Sequence, residues 1–187
     1  MGGTRQHPDG GLIQPLRDRP RSLPLLEFFP QAALVVEHAL RPPRTIASAE
    51  SCTGGLLGAA MTATPGASQV YLGGAVTYSN AAKTALLGVS ADLLETWGAV
   101  SEQVAAAMAQ GVRRTFAADL GVAVTGVAGP GASERKPAGL VFIALATSQR
   151  TEVERLDHDL GRDDNRSLAV AVALQMLLRE LDRVGEG

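Results

Sequence analysis

An α/β fold, read as a three-layer α/β/α sandwich on a mixed, mostly parallel sheet of about five strands, is predicted by three observations. Short buried-strand runs alternate with helical periodicities along most of the chain. Hydrophobic residues are 45% of the sequence but aromatics only 4%, so burial rests on Ala, Val, Leu and Ile packed closely, helped by 21 Gly. Near the C-terminus two strand-like runs are joined only by Ser148-Gln149-Arg150, and so short a connection requires an antiparallel pair.

The elements follow in order. Residues 1–24 hold Pro8, Pro15, Pro20 and Pro24 among arginines with little periodicity, and they read as a mobile N-terminal extension to one domain spanning 25–187. Leu26, Phe29, Ala33, Val36, Ala39 and Leu40 predict a helix over 25–40, with Pro30 near its start and Pro42-Pro43 stopping it. Thr45 to Ala49 reads as a short buried strand, Glu50 to Gly55 as a turn, and Leu56 to Met61 as helix. Tyr71 to Ser79 predicts a second strand, and Asn80 to Leu87 a helix capped by Ser79 or Asn80 and closed by Gly88. A helical turn at Ser90 to Trp97 precedes a long helix opened by Ser101 and running to about Ala118. Gly121 to Thr125 is the third strand, and Leu140 to Thr147 and Thr151 to Leu160 are the last two. Leu168, Ala171, Val172, Leu174, Leu178 and Leu181 predict a closing helix from about Asp163 to Arg183.

Composition narrows the function. With 187 residues there is room for one sizeable core. Lys+Arg 17 against Asp+Glu 19 gives a net charge of −2, which leaves no positive field for a phosphate backbone and disfavours nucleic-acid binding. Cys52 is the only cysteine, so no internal disulfide can form and a cytoplasmic setting is expected. No run approaches the roughly 18 apolar residues of a membrane span, and the N-terminus has no apolar leader core. Fifteen of the 17 basic residues are Arg, and Lys83 and Lys136 are the only lysines. A codon bias towards Arg explains the ratio, yet a retained lysine marks a place where an ammonium that can lose its proton is useful.

Ligands of such sheets sit outside the carboxyl ends of the parallel strands. Three polar loops fall there: Glu50 to Gly55, Thr77 to Lys83, and Thr125 to Gly131. Ser51 stands where a strand turns into a helix, with the amides near Thr53 and Gly54 available to an oxyanion. The same residues also read as an ordinary N-cap and glycine turn. His7, His38 and His158 are badly placed to serve as its base. Lys83, one turn beyond Tyr78, Ser79 and Asn80, is an alternative, because desolvation would lower its pKa and free a lone pair; it reads equally as a solvated helix residue. The Thr125-Gly126 and Gly129-Pro130-Gly131 loop can present amides to an anion. Arg162 and Arg166, four apart at a helix start, can meet a phosphate or form a solvated basic face. Cys52 at a helix start is a candidate nucleophile, though a small buried cysteine is the commoner case. Asp157, His158, Asp159, Asp163 and Asp164 match no zinc spacing, and aspartates around a helix start are usually caps.

Five ordered motifs now stand together: Ala49-Glu50-Ser51-Cys52-Thr53-Gly54-Gly55; Val76-Thr77-Tyr78-Ser79-Asn80 with Lys83; Gly98-Ala99-Val100-Ser101-Glu102; Thr125-Gly126-Val127-Ala128-Gly129-Pro130; and Lys136-Pro137-Ala138-Gly139. Over about residues 25 to 183 the chain resembles the CinA C-terminal domain family, the nicotinamide-nucleotide amidohydrolases. The resemblance implies hydrolysis of the carboxamide of nicotinamide mononucleotide to nicotinate mononucleotide and ammonia, in pyridine-nucleotide salvage. It implies Ser51 as nucleophile, Lys83 as base and Tyr78 as a partner in proton transfer. Glu50, Cys52, Thr53, Gly54, Asn80, Thr125, Gly126 and Gly129 would contact substrate, and Arg166 its phosphate. Two departures are visible: the loop 131–135 is short and poor in glycine, and Gly161-Arg162-Asp163 scrambles the family's usual order, which favours Arg166 over Arg162. The chain resembles the stand-alone form. No metal or cofactor is expected, and the partners expected are a small-molecule nucleotide and further copies of the chain, without nucleic acid or membrane. The alternative is a non-catalytic nucleotide-binding or interaction module linked to competence or DNA damage.

Overall fold

A computed structural model describes residues 25–133 and 136–184; the expected N-terminal extension lies outside the described residues. The chain runs through helices α1 (Leu25–Phe28) and α2 (Gln31–Ala39), strand β1 (Ile46–Glu50), α3 (Leu56–Thr62), β2 (Tyr71–Val76), α4 (Asn80–Leu87), α5 (Ala91–Trp97) and α6 (Glu102–Thr115). It continues through β3 (Leu120–Gly126), β4 (Leu140–Ala146), β5 (Thr151–Asp157) and α7 (Arg162–Val184). The long helix α6 ends at Thr115, short of the expected Ala118, and three other expected boundaries differ for a visible reason. The helix expected over 25–40 is broken, because Pro30 has no N–H to continue the α1 ladder and instead heads α2. Strand β2 stops at Val76, three residues early, where the chain turns so that the Thr77 carbonyl faces Lys83 Nζ at 2.8 Å. Strand β5 stops at Asp157, where Asn165 and Asp159 take up the following backbone.

The five strands lie in the order β2-β1-β3-β4-β5. β1 pairs in parallel with β2 and β3, and β4 is antiparallel to both β3 and β5, so four of the five strands point the same way. Pleat alternation divides the core. Ile46, Val122, Val124, Ile143 and Leu145 face α2, α3 and α7, around Val35, Leu57, Met61, Leu174 and Leu177. Ala47, Ala49, Ala123, Ala144 and Ala146 face α4, α5 and α6, around Leu87, Val104, Met108 and Val112. Each fully buried Leu or Val there contributes about 1.5–3 kcal/mol.

The alanine face lets α6 come close, and two glycines mark the approach. A Cβ at Gly111 would lie 2.2 Å from the Leu87 carbonyl oxygen, and one at Gly121 would lie 2.2 Å from the Ala109 oxygen. The crossover from β1 to β2 uses α3 on one face, whereas the return from β2 to β3 uses α4 to α6 on the other. The carboxyl end of β1 is therefore the topological switch point where such sheets open a crevice. Among the described residues, no helix is long and apolar enough to cross a membrane.

Candidate active site

Register fixes the first residue of the site. Glu50 lies between Val76 and Val124 on the neighbouring strands, and the Ser51 amide extends the ladder by donating to the Val124 carbonyl at 2.9 Å. The chain then turns tightly: the Gly54 amide donates to the Ser51 carbonyl at 3.1 Å, and Gly54 and Gly55 have φ of 61° and 96°. Both angles are left-handed, which is why glycine occupies them. The Glu50 carboxylate, 2% exposed, folds back under the start of α3 and accepts the amides of Gly55 (3.0 Å), Leu57 (3.1 Å) and Gly58 (2.9 Å). The donors that a helix start leaves open are thus taken from within.

Lys83 comes from the first turn of α4, where the Ser79 hydroxyl accepts the Ala82 amide at 3.1 Å as N-cap. Its side chain is 1% exposed, and Nζ lies 3.1 Å from Ser51 Oγ and 2.8 Å from the Thr77 carbonyl oxygen. Thr125, at the end of β3, donates from Oγ1 to the Ala99 carbonyl at 2.8 Å and so ties the loop before α6 to the sheet. These elements enclose a cavity of about 230 Å³.

Of the residues singled out from sequence, Ser51, Cys52, Tyr78, Asn80, Lys83 and Thr125 line this cavity, and so do Gly126 and Gly129. Glu50, Thr53, Gly54 and Arg166 do not. Glu50 is turned to α3, as described. The Gly54 amide, expected to be open to an oxyanion, is already bonded to Ser51; the amides of Cys52 and Thr53 are the ones that bond no acceptor on another described residue. Arg166 lies behind the turn, where Nη2 donates to the Thr53 carbonyl at 3.0 Å. Arg162, the less favoured of the two arginines, is the one on the cavity wall, and Nη1 donates to the Gly129 carbonyl at 2.6 Å. Tyr78 stands on the rim, 65% exposed, and its hydroxyl makes no hydrogen bond to Ser51 or Lys83.

Burial pushes the Cys52 thiol up to about 11, so the thiol holds its proton at neutral pH and is a poor nucleophile beside Ser51. His38 pairs with Asp182 at 2.7 Å on α7, and His158 is exposed beside Asp157. Neither lines the cavity. Asp159, weighed as a metal ligand, accepts the Gly161 amide and Asn165 Nδ2 and organises the start of α7. Asn165 escaped sequence reasoning. It is 2% exposed, and its amide nitrogen donates to the Ala128 carbonyl at 3.0 Å, docking the loop after β3 on α7. The signal for it was only a polar residue inside an amphipathic helix, three residues past Arg162.

A mixed α/β sandwich with a cavity at its switch point, holding a serine and a buried lysine in contact, is the class that this fold and site define. More particularly, the chain belongs to the CinA family: the CinA C-terminal domain matches residues 30–181. A CinA-like protein of Desulfovibrio desulfuricans is 50% identical over 153 residues, covering 80% of this chain and 36% of the relative. One from Mycolicibacterium gilvum is 46% identical over 180 residues, covering 94% of this chain and 42% of the relative. The chain thus spans less than half the length of these curated relatives. Among solved structures, the competence/damage inducible protein CihA from Agrobacterium tumefaciens superposes with a TM-score of 0.79 at 39% identity, covering 83% of this chain and 96% of that one. A CinA superfamily protein from Klebsiella pneumoniae superposes with a TM-score of 0.80 at 31% identity, covering 83% and 98%.

Proposed function

We propose that this chain hydrolyses the carboxamide of nicotinamide mononucleotide to nicotinate mononucleotide and ammonia, using Ser51 as nucleophile and Lys83 as its base. The observation that carries the reading is the buried contact of 3.1 Å between Lys83 Nζ and Ser51 Oγ. A pocket that only bound a nucleotide has no use for a lysine driven out of water against a serine hydroxyl, since burying such a polar group costs energy.

In this reading, the neutral Lys83 amine takes the proton of Ser51 as Oγ bonds to the carboxamide carbon. The carbonyl oxygen becomes an oxyanion, held by the amide of Cys52, which follows the nucleophile on the cavity wall. The ammonium then returns its proton to the departing nitrogen, ammonia leaves, and an ester on Ser51 remains. Water attacks that ester with Lys83 again as base, the carboxylate product is released, and Oγ regains its proton. Arg162 and the loop around Gly129, both on the cavity wall, supply the positive charge and amides for the phosphate. Asn80 and Tyr78, at the mouth, meet the rest of the nucleotide. The test is ammonia release from nicotinamide mononucleotide, with Ser51→Ala as control. Nucleotide binding without turnover would instead favour the module reading.

A further inference from the structure

The turn between Ser51 and Gly55 is gripped from two sides by opposite charges, and neither side chain lines the cavity. Below it, the buried Glu50 carboxylate accepts the amides of Gly55, Leu57 and Gly58. Behind it, Arg166 on α7 holds the Thr53 carbonyl at 3.0 Å, and its Nη2 lies 3.9 Å from where a Cβ on Gly54 would stand. We propose that Glu50 and Arg166 are positioning residues, a two-sided clamp that keeps Ser51 Oγ at Lys83 and holds the Cys52 amide at the cavity wall for the oxyanion.

The inference rests on the hydrolase reading, and it reassigns two residues that the family resemblance places on the substrate. The turn needs restraint, because Gly54 and Gly55 are the residues with the widest conformational choice. Charge-assisted bonds to backbone amides and carbonyls are the strong kind, and both ends of the turn have them. The lone pairs of Glu50 are spent on the start of α3, so that helix end has no free positive pole for a substrate phosphate. A drift of about 1 Å in Ser51 or the Cys52 amide is enough to cost roughly 100-fold in rate. Substrate binding, made elsewhere in the cavity, is untouched. Cys52 lies within the clamped turn, is buried, and is the only thiol in the chain, so its accessibility reports directly on the turn.

The experiment compares Glu50→Gln, Arg166→Ala and Arg166→Lys with the parent in two readouts: kcat and KM on nicotinamide mononucleotide, and the rate at which a neutral maleimide labels Cys52. For Glu50→Gln and Arg166→Ala the clamp predicts kcat lower by about 10- to 100-fold, KM within about twofold, and labelling faster by about tenfold or more. Arg166→Lys recovers part of both, since an ammonium can still donate to the Thr53 carbonyl. A raised KM with unchanged kcat would overturn the proposal, because it would put these side chains on the substrate; so would labelling at the parental rate in both variants. If the parent releases no ammonia, the hydrolase reading fails while the labelling still decides whether the turn is gripped. If Glu50→Gln does not fold, Arg166→Ala, a partly exposed side chain on α7, carries the test alone.

Discussion

Replacing Lys83 by methionine leaves a stem as long as the lysine's four carbons and removes the nitrogen at its end, and the structure allows both consequences to be sized. At least two hydrogen bonds go, to Ser51 Oγ at 3.1 Å and to the Thr77 carbonyl at 2.8 Å, a loss of about 2 kcal/mol at roughly 1 kcal/mol each. Against that, a polar nitrogen at a site only 1% exposed is exchanged for a thioether, relieving a burial cost of about 1–3 kcal/mol. The two nearly cancel, so stability should stay within about 2 kcal/mol of the parent and Tm within about 8 °C. Catalysis has no such compensation. Losing a positioned general base removes about 100- to 10,000-fold in rate. Thermal unfolding and ammonia release on the same preparations measure both. Activity within tenfold of the parent would refute Lys83 as base, and a Tm lower by about 15 °C or more would show that the lysine is there to hold the fold.

Three further outcomes are expected. Ser51→Ala should keep the parental melting curve and lose ammonia release by several orders of magnitude, whereas Cys52→Ser should keep most of it, because the thiol is held protonated by burial; abolition by Cys52→Ser alone would reverse the nucleophile assignment. Gly111→Ala should lower stability by about 2 kcal/mol or more, since the added methyl would stand 2.2 Å from the Leu87 carbonyl oxygen; an unchanged Tm would mean that α4 and α6 are not in such close contact. Asp119 is held below its ordinary value of 3.8, first by the Thr45 amide, so the unfolded chain takes up this proton before the folded one as pH falls. The stability it contributes is present above pH 3.8 and drains away below it, and Asp119→Asn should flatten that part of the stability profile measured by denaturant titration; an identical acid slope in the two proteins would remove the assignment.

Which parts were legible in the sequence follows from how local each signal is. The strand positions rest on turn lengths and apolar runs, and the Ser148-Gln149-Arg150 hairpin did pair β4 with β5, whereas the order of β2, β1 and β3 is set by crossovers that no local pattern reports. That Ser51 and Lys83 meet was legible because Ser51 directly follows β1 and Lys83 lies in the first turn of the helix after β2, on the side where a parallel sheet exposes its loops. Glu50, a substrate contact only through the family resemblance, lies off the cavity because pleat alternation turns its side chain to the α3 face, opposite Ala49. Arg162 and Arg166 are one helical turn apart, and their sequence context favoured the second. The cavity wall that Arg162 reaches is formed by the 127–131 loop, docked on α7 through Asn165, a contact over 37 residues that no local pattern reports. The break at Pro30 was readable in kind, since proline ends a helical ladder, but not the extent of the turn before it.

The central claim is that the serine and lysine at this switch point perform an amide hydrolysis on a pyridine nucleotide. Its most direct measurement is the time course of ammonia and nicotinate mononucleotide formed from nicotinamide mononucleotide by the purified chain and by Ser51→Ala in parallel. One ammonia per carboxylate product from the parent, and neither from Ser51→Ala, is the expected result. Nucleotide binding by the parent with no ammonia above the Ser51→Ala background would contradict it.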